Sequence, residues 1–208
     1  MAVKSAFLKE YMAKGISYVE YRNLIHTLQL KGKSTAVEDN ADRIHYTSLN
    51  VKRMDRIDKK VDLLNSTDLR LLGLSGHYTF LLLAESWCAD ASQIVPVIAK
   101  IATSSYQINL KILLRDENLT LMDEFLSNGS RAIPKLLIID REEDCVVAEW
   151  GARPKEAVQM VQDYKAEHSK IDENFKIGLQ KWYNKNKGIA IQEEILELLE
   201  EVEEKILV

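Results

Sequence analysis

The segment LLLAESWCADASQIVPVIAKIA, residues 81–102, decides the fold of this chain. An apolar run typical of a buried strand ends at the pair Trp87 and Cys88, and an amphipathic helix with one internal proline, Pro96, follows. A cysteine at the start of a helix lies near unpaired backbone N–H groups and the positive end of the helix dipole, which both favour the thiolate. The segment therefore raises the question of whether Cys88 is a reactive thiol.

Length and composition indicate an ordinary soluble globular protein. A chain of 208 residues is long enough for one sizeable domain with helical additions, and its formal net charge of -4 favours neither nucleic acid nor an anionic membrane as a partner. No stretch approaches the ~20 apolar residues of a membrane span, and charged residues interrupt the amino end, so we expect a cytoplasmic protein. The histidines are scattered without ligand spacing, and no metal site is expected.

The centre of the chain contains four short apolar runs that predict strands, at residues 78–84, 108–114, 135–140 and 145–150. One helix is predicted between the first two runs, and a second, extending to Gly129, between the next two. Only REED separates the last two runs, which predicts an antiparallel hairpin. The order therefore predicts a mixed α/β sheet in which an antiparallel strand is added to a parallel pair joined by a helix.

Helices are predicted on both sides of this centre. Ser17 and Glu20 form a capping box, which predicts a helix start. An apolar stripe at the carboxyl end is expected to pack on the protein's own core, and it comprises Ile191, Ile195, Leu198, Leu199, Val202 and Ile206. We therefore expect a helical amino-terminal extension over residues 1–75, a central domain over 76–168 and a helical carboxyl-terminal extension over 169–208.

Residues 78 to about 168 resemble thioredoxin in four features that occur in the same order. ESWCADASQIVP places a Trp-Cys pair at a strand-to-helix junction, with Pro96 further along the helix; RAIPKLLIID resembles the family's Ile-Pro before a strand; and EWGARP places Gly151 at the end of the returning strand. More narrowly, the chain is similar to bacterial thioredoxin-family proteins with a W-C-x-D segment behind a helical amino-terminal region. The resemblance implies a thioredoxin-like mixed sheet with flanking helices and helical extensions at both ends.

The resemblance also implies the site. Cys88 would be the catalytic sulfur, opposite a cis proline, and the substrate would bind against Trp87, Ile133, Pro134, Gly151 and Ala152. Asp90 would tune the thiol, because its carboxylate opposes the effect of the helix start, and we expect a Cys88 pKa of roughly 7–8. Alternatively, Asp90 is only a first-turn carboxylate that stabilises the helix.

Two departures from thioredoxin remove the usual two-cysteine exchange. The second active-site cysteine is Ala91 here, and the buried aspartate of the family corresponds to Leu82. The chain's other cysteine, Cys145, begins the last strand, and five or six residues of strand would place it roughly 15–20 Å from Cys88. A disulfide needs Cα atoms within about 7 Å, so Cys145 is not expected to resolve a mixed disulfide.

Three functions remain open at this point. Cys88 could carry out thiol–disulfide exchange through mixed disulfides that an external thiol resolves, the fold could be a redox-inactive peptide- or protein-binding module, or Cys88 could sense peroxide. No bound cofactor is expected, although an external thiol such as glutathione is possible. The expected partners are disulfide-containing or glutathionylated proteins or a low-molecular-weight thiol, and the oligomeric state is left open.

Overall fold

A computed structural model describes residues 5–206, without the side chain of Ile206, so the last member of the predicted carboxyl-terminal stripe lies outside the described side chains. Nine α-helices and four strands make up this part of the chain. In order they are α1 (Ser5–Lys14), α2 (Tyr18–Leu30), α3 (Ala41–Lys60), α4 (Asn65–Leu72), β1 (Tyr78–Ala84), α5 (Ala91–Thr103), β2 (Ile108–Leu114), α6 (Leu119–Glu124), β3 (Lys135–Asp140), β4 (Cys145–Gly151), α7 (Lys155–Glu167), α8 (Glu173–Asn186) and α9 (Ile189–Ile206).

The four strands form one mixed sheet in the order β2-β1-β3-β4. β1 pairs with β2 in parallel and with β3 in antiparallel orientation, and β4 continues as the antiparallel partner of β3. The parallel pair requires a crossover connection, which α5 provides, whereas β3 and β4 are joined by a turn at residues 141–144. The predicted α/β fold with a mixed sheet and helical extensions is confirmed.

β1 is the centre of the molecule because both of its faces are buried. Its side chains alternate between two apolar clusters, since successive side chains of a strand point to opposite faces. Tyr78, Phe80 and Leu82 join the larger cluster, which also contains residues of α2, α3, α5 and α9. Leu81 and Leu83 join the smaller cluster, to which α1 and α6 contribute. A continuous apolar run is therefore the sequence that this position requires.

The flanking helices begin and pack largely as their sequences predict. The Ser17 side chain accepts the backbone N–H of Glu20, whose carboxylate accepts the backbone N–H of Ser17 at 2.7 Å. In α9, Ile191, Ile195 and Leu199 are buried in the larger cluster, which confirms that this helix packs on the protein's own core. Within residues 5–206, no helix is long and apolar enough to cross a membrane.

The predicted helix up to Gly129 is too long. α6 ends at Glu124, and residues 127 and 130 pair instead in a small turn, where the backbone N–H of each donates to the carbonyl of the other. Asn128 and Gly129 both adopt positive φ angles, of 50° and 72°, which a right-handed helix does not allow. The apolar spacing of residues 119–125 correctly predicts a helix there. The predicted end of that helix is wrong, because an irregular segment and then the turn-forming pair Asn128-Gly129 follow it.

Candidate functional site

Cys88 lies in the turn between β1 and α5, three residues before the helix begins. Its thiol contacts two backbone groups: the Ala91 N–H donates to Sγ at 3.4 Å, and Sγ lies 3.4 Å from the carbonyl oxygen of Ile133, to which it donates as a thiol. The Ile133–Pro134 peptide bond is cis. The half-buried sulfur is therefore held between the start of α5 and the segment that leads into β3.

Asp90 differs from the exposed first-turn carboxylate considered above. It is only 6% exposed and does not cap α5 with its side chain. Its Oδ2 forms an ion pair with the Arg153 guanidinium at 2.6 Å, and its Oδ1 accepts a hydrogen bond from the Tyr183 hydroxyl at 3.0 Å. Asp90 thus connects the turn of Cys88 to the segment after β4 and to α8.

The surroundings of Cys88 disfavour its thiolate form. Burial raises its pKa to about 12, and the Asp90 carboxylate acts in the same direction, while the N–H groups of Ala91 and Asp90 and the charge of Arg153 oppose the shift only in part. The expected value of roughly 7–8 is therefore wrong. That expectation assumed an exposed helix start, where water would solvate the thiolate and screen Asp90, whereas the fold covers this turn.

The segments predicted to bind substrate meet near the sulfur but are mostly covered. Ile133, Pro134 and Ala152 are buried, and Gly151 pairs with Lys135, the residue after the cis proline. At Gly151 φ is +125° and a Cβ atom would lie 2.2 Å from the carbonyl oxygen of Pro134, so this close backbone approach requires glycine. These residues shape the site through their backbone, and their role in substrate binding stays a prediction.

Trp87 is half-buried next to two arginine side chains. The guanidinium carbons of Arg43 and Arg115 lie 5.3 and 5.1 Å from its ring centre, which is cation–π distance. The buried Nε1 atom of Trp87 has no hydrogen-bond partner among the described residues. Trp87 also lines the cavity next to Cys88, so its predicted contact with a ligand is geometrically possible.

The free cysteine Cys145 lies at the opposite end of the sheet from Cys88. It pairs with Asp140, the last residue of β3, whereas the cis proline near Cys88 directly precedes the first residue of that strand. Five steps of strand at ~3.3 Å separate the two ends by roughly 17 Å. This register agrees with the expectation that Cys145 does not reach the Cys88 sulfur.

The open side of Cys88 faces a cavity of about 610 Å³, a volume within the range of about 300–1000 Å³ that small-molecule sites occupy. Most of its wall comes from α8 and the segment before it, which had received no functional role from the sequence. The lining combines apolar side chains of α7 and α8 with charged ones, and Trp87, Cys88 and Asp90 belong to it. The inward spacing of Phe175, Leu179 and Tyr183 was the available signal for a helix face turned to the core.

A second buried carboxylate, Glu85, lies three residues before Cys88 and was also missed. It is fully buried, and it accepts the backbone N–H of Asp116 at 2.8 Å and the hydroxyl of Thr35. Burial raises its pKa to about 7, although these two hydrogen bonds oppose the shift. Arg115, whose charge also reaches Glu85, pairs directly with Asp116. A charged residue at the end of an otherwise apolar strand was the sequence signal.

Comparison with known proteins agrees with this geometry. Two solved structures superpose with a TM-score of 0.60 at 16% identity, each covering 92% of this chain and 96% of its own: a protein of unknown function from Pseudomonas aeruginosa and an HIV epitope scaffold. This likeness establishes the fold alone. No match is found among curated proteins. A family model described as thioredoxin matches residues 36–165, more than half of the chain. The chain belongs to the thioredoxin family.

Proposed function

We propose that this thioredoxin-family protein binds a small ligand in the cavity beside α8 and that Cys88 is, at rest, a protonated thiol in the wall of that site. The observation that carries the proposal is the position of Cys88: this residue lines a 610 Å³ cavity, and the buried Asp90 carboxylate lies near its thiol. The sequence has Ala91 where a second active-site cysteine would be. On this proposal the family's turn is retained for its shape.

The expected rate of thiol–disulfide exchange at Cys88 favours ligand binding over exchange as the function. With a pKa of about 12 for Cys88, the thiolate fraction at pH 7 is ~10⁻⁵, compared with ~3% for a free cysteine. Nucleophilicity rises by ~0.4–0.5 logarithmic units per pKa unit, so it recovers a little less than half of this loss on a logarithmic scale. The net expectation is a thiol that reacts about a hundredfold more slowly than free cysteine at neutral pH.

Exchange through a single cysteine is the second candidate, and the contact of Cys88 with Ile133 favours it. The sulfur lies 3.4 Å from the carbonyl that precedes the cis proline, and Cys88 lines the cavity that a disulfide would enter on this proposal. Cys88 would form a mixed disulfide, and an external thiol in a reducing compartment such as the cytoplasm would release it. The substrates would be disulfide-containing or glutathionylated proteins or a low-molecular-weight thiol in its disulfide form.

Both candidates suit the narrower subgroup suggested by the sequence, the bacterial single-thiol proteins with a W-C-x-D segment and a helical amino-terminal region. The family match begins at residue 36, inside the helices before β1. We keep the division at residues 75 and 168 as a proposal about domains. On this proposal α8, which belongs to the carboxyl-terminal extension, forms part of the ligand site.

The pH dependence of alkylation separates the two candidates. In a Cys145→Ser protein, iodoacetamide at pH 7 should modify Cys88 about a hundredfold more slowly than free cysteine, because little thiolate is present. The rate should still rise tenfold per pH unit above pH 9, where free cysteine, with a pKa of ~8.5, levels off. A Cys88 rate at pH 7 equal to that of free cysteine would make exchange the better candidate and would overturn our order.

A further inference from the structure

We propose that the cavity between Cys88 and α8 binds a small amphipathic carboxylate, with its apolar body against α7 and α8 and its anionic head toward Arg53 and Arg153. This inference deepens the proposed ligand-binding function and rests on it. It assigns the chemical class of the ligand, which the thioredoxin fold by itself does not specify.

The apolar part of the site comes from the carboxyl-terminal third of the chain. Five aliphatic or aromatic side chains line the cavity, namely Val161, Ile171, Phe175, Ile177 and Leu179. Ile177 is 48% exposed although it borders the cavity, so a hydrophobic surface remains in contact with water there. An apolar ligand body that covers this surface would remove it from water, which favours binding.

The charged part of the site has an excess of positive charge. Four basic side chains line the cavity, Arg53, Arg153, Lys176 and Lys181, against two acidic ones, Asp90 and Glu173, which leaves a net charge of +2. Asp90 is paired with Arg153 and Glu173 with Lys176. The charges that these pairs leave over are those of Arg53 and Lys181, so the cavity favours an anion over a neutral or cationic ligand.

Arg53 is the group that points most directly to an anion. Its Nη1 atom donates to the amide oxygen of Asn50 at 2.8 Å, and among residues 5–206 it forms no ion pair with a carboxylate. Burial lowers the pKa of its guanidinium and the charge of Arg56 acts in the same direction, while the more distant carboxylates of Asp90 and Glu173 oppose the shift only in part. A partly buried guanidinium without an ion pair can form charge-assisted hydrogen bonds to a carboxylate through its remaining N–H groups.

Arg153 provides a second unsatisfied donor. One of its terminal nitrogens pairs with Asp90, but its Nε atom is buried and has no hydrogen-bond acceptor among the described residues. A buried donor without an acceptor is uncommon and often marks a missing ligand or water. The cavity lining thus combines the guanidinium groups of Arg53 and Arg153 with an apolar wall.

Calorimetric titration with three ligands of equal chain length tests the proposal: octanoate, the neutral octanamide and the cationic octylammonium. We expect octanoate to bind at least tenfold more tightly than octanamide, and octylammonium to bind most weakly. Arg53→Gln should weaken octanoate about tenfold and leave octanamide unchanged. The matched control is Arg131→Gln, which removes an exposed arginine that pairs with Asp123 outside the cavity and should change neither affinity.

Two further measurements locate the site. Ile177→Trp should fill the cavity and weaken octanoate and octanamide together, and saturating octanoate should slow the alkylation of Cys88 in the Cys145→Ser protein. Equal affinity for octanoate and octanamide would overturn the assignment of the ligand class while leaving a small-molecule site in place. Failure of all three ligands to bind would overturn the inference, whereas the alkylation profile of the free protein tests the proposed function independently.

Discussion

The two carboxylates on either side of the Trp87-Cys88 pair, Glu85 and Asp90, are both buried but have different partners. Asp90 forms an ion pair with the Arg153 guanidinium and accepts a hydrogen bond from the Tyr183 hydroxyl. Glu85 accepts hydrogen bonds from one backbone N–H and one hydroxyl, and burial raises its pKa to about 7. The difference lies in the partners that the fold supplies: Asp90 has a cation in direct contact, whereas Glu85 has only neutral hydrogen-bond donors in direct contact.

Removing the Arg153 guanidinium that pairs with Asp90 should have the largest effect on stability. Arg153→Met leaves the Asp90 carboxylate without its ion pair in a buried position, and we expect the free energy of unfolding at pH 7 to fall by about 3 kcal/mol, the lower end for a broken buried pair because Arg153 is partly exposed. Urea denaturation measures this. Arg131→Met, which breaks the exposed pair with Asp123, is the control and should cost less than about 1 kcal/mol.

A double variant tests whether the loss in Arg153→Met comes from the ion pair. Asp90→Asn combined with Arg153→Met should recover part of the stability, because no uncompensated charge remains. Two results would contradict this role of the ion pair: Arg153→Met being as stable as Arg131→Met, or the double variant being no more stable than Arg153→Met.

The raised pKa of Glu85 is tested by the pH dependence of the free energy of unfolding. A pKa raised from 4.5 to about 7 means that folding favours the protonated carboxyl, so this contribution is fully present below pH 4.5 and is lost as the pH rises through 7. The loss is about 3 kcal/mol at ~1.4 kcal/mol per pKa unit. Glu85→Gln should remove this dependence and, after about 1 kcal/mol for a weakened hydrogen bond, be roughly 2 kcal/mol more stable than the wild type at pH 8.

The measurement for Glu85→Gln is urea denaturation from pH 4.5 to 8. The exposed Glu124→Gln change should leave the pH profile of the wild type intact. A Glu85→Gln profile parallel to that of the wild type would show that Glu85 does not titrate within this range, and it would remove the contrast with Asp90.

The smallest expected effect comes from the Tyr183 hydroxyl. Tyr183→Phe removes one hydrogen bond to Asp90 and should lower the free energy of unfolding by about 1 kcal/mol or slightly more, since the acceptor is charged. The control is Tyr106→Phe, at a fully exposed position. If both changes had the same effect on denaturation, α8 would contribute to the site by packing alone.

Much of the fold could be predicted because its determinants are local. The continuous apolar run at residues 78–84 requires a strand buried on both faces, and the four-residue separation of the last two strands allows only a hairpin. Ser17 and Glu20 form their capping box within a single helical turn. Even the error at residues 125–129 was local, because apolar helical spacing outweighed the turn preference of Asn128 and Gly129.

The sequence by itself determined the order of the helices and strands along the chain and the single sulfur of the site, and its resemblance to thioredoxin predicted that Ile133 and Gly151 lie near that sulfur. Only the tertiary structure decided the chemistry of that sulfur. Tyr183 is 93 positions from Asp90 along the chain, and α8 brings it and the cavity wall to Cys88. Periodicity reports which face of a helix is apolar, but a pKa depends on the solvent and charges within a few ångströms, and distant segments supply these only after folding.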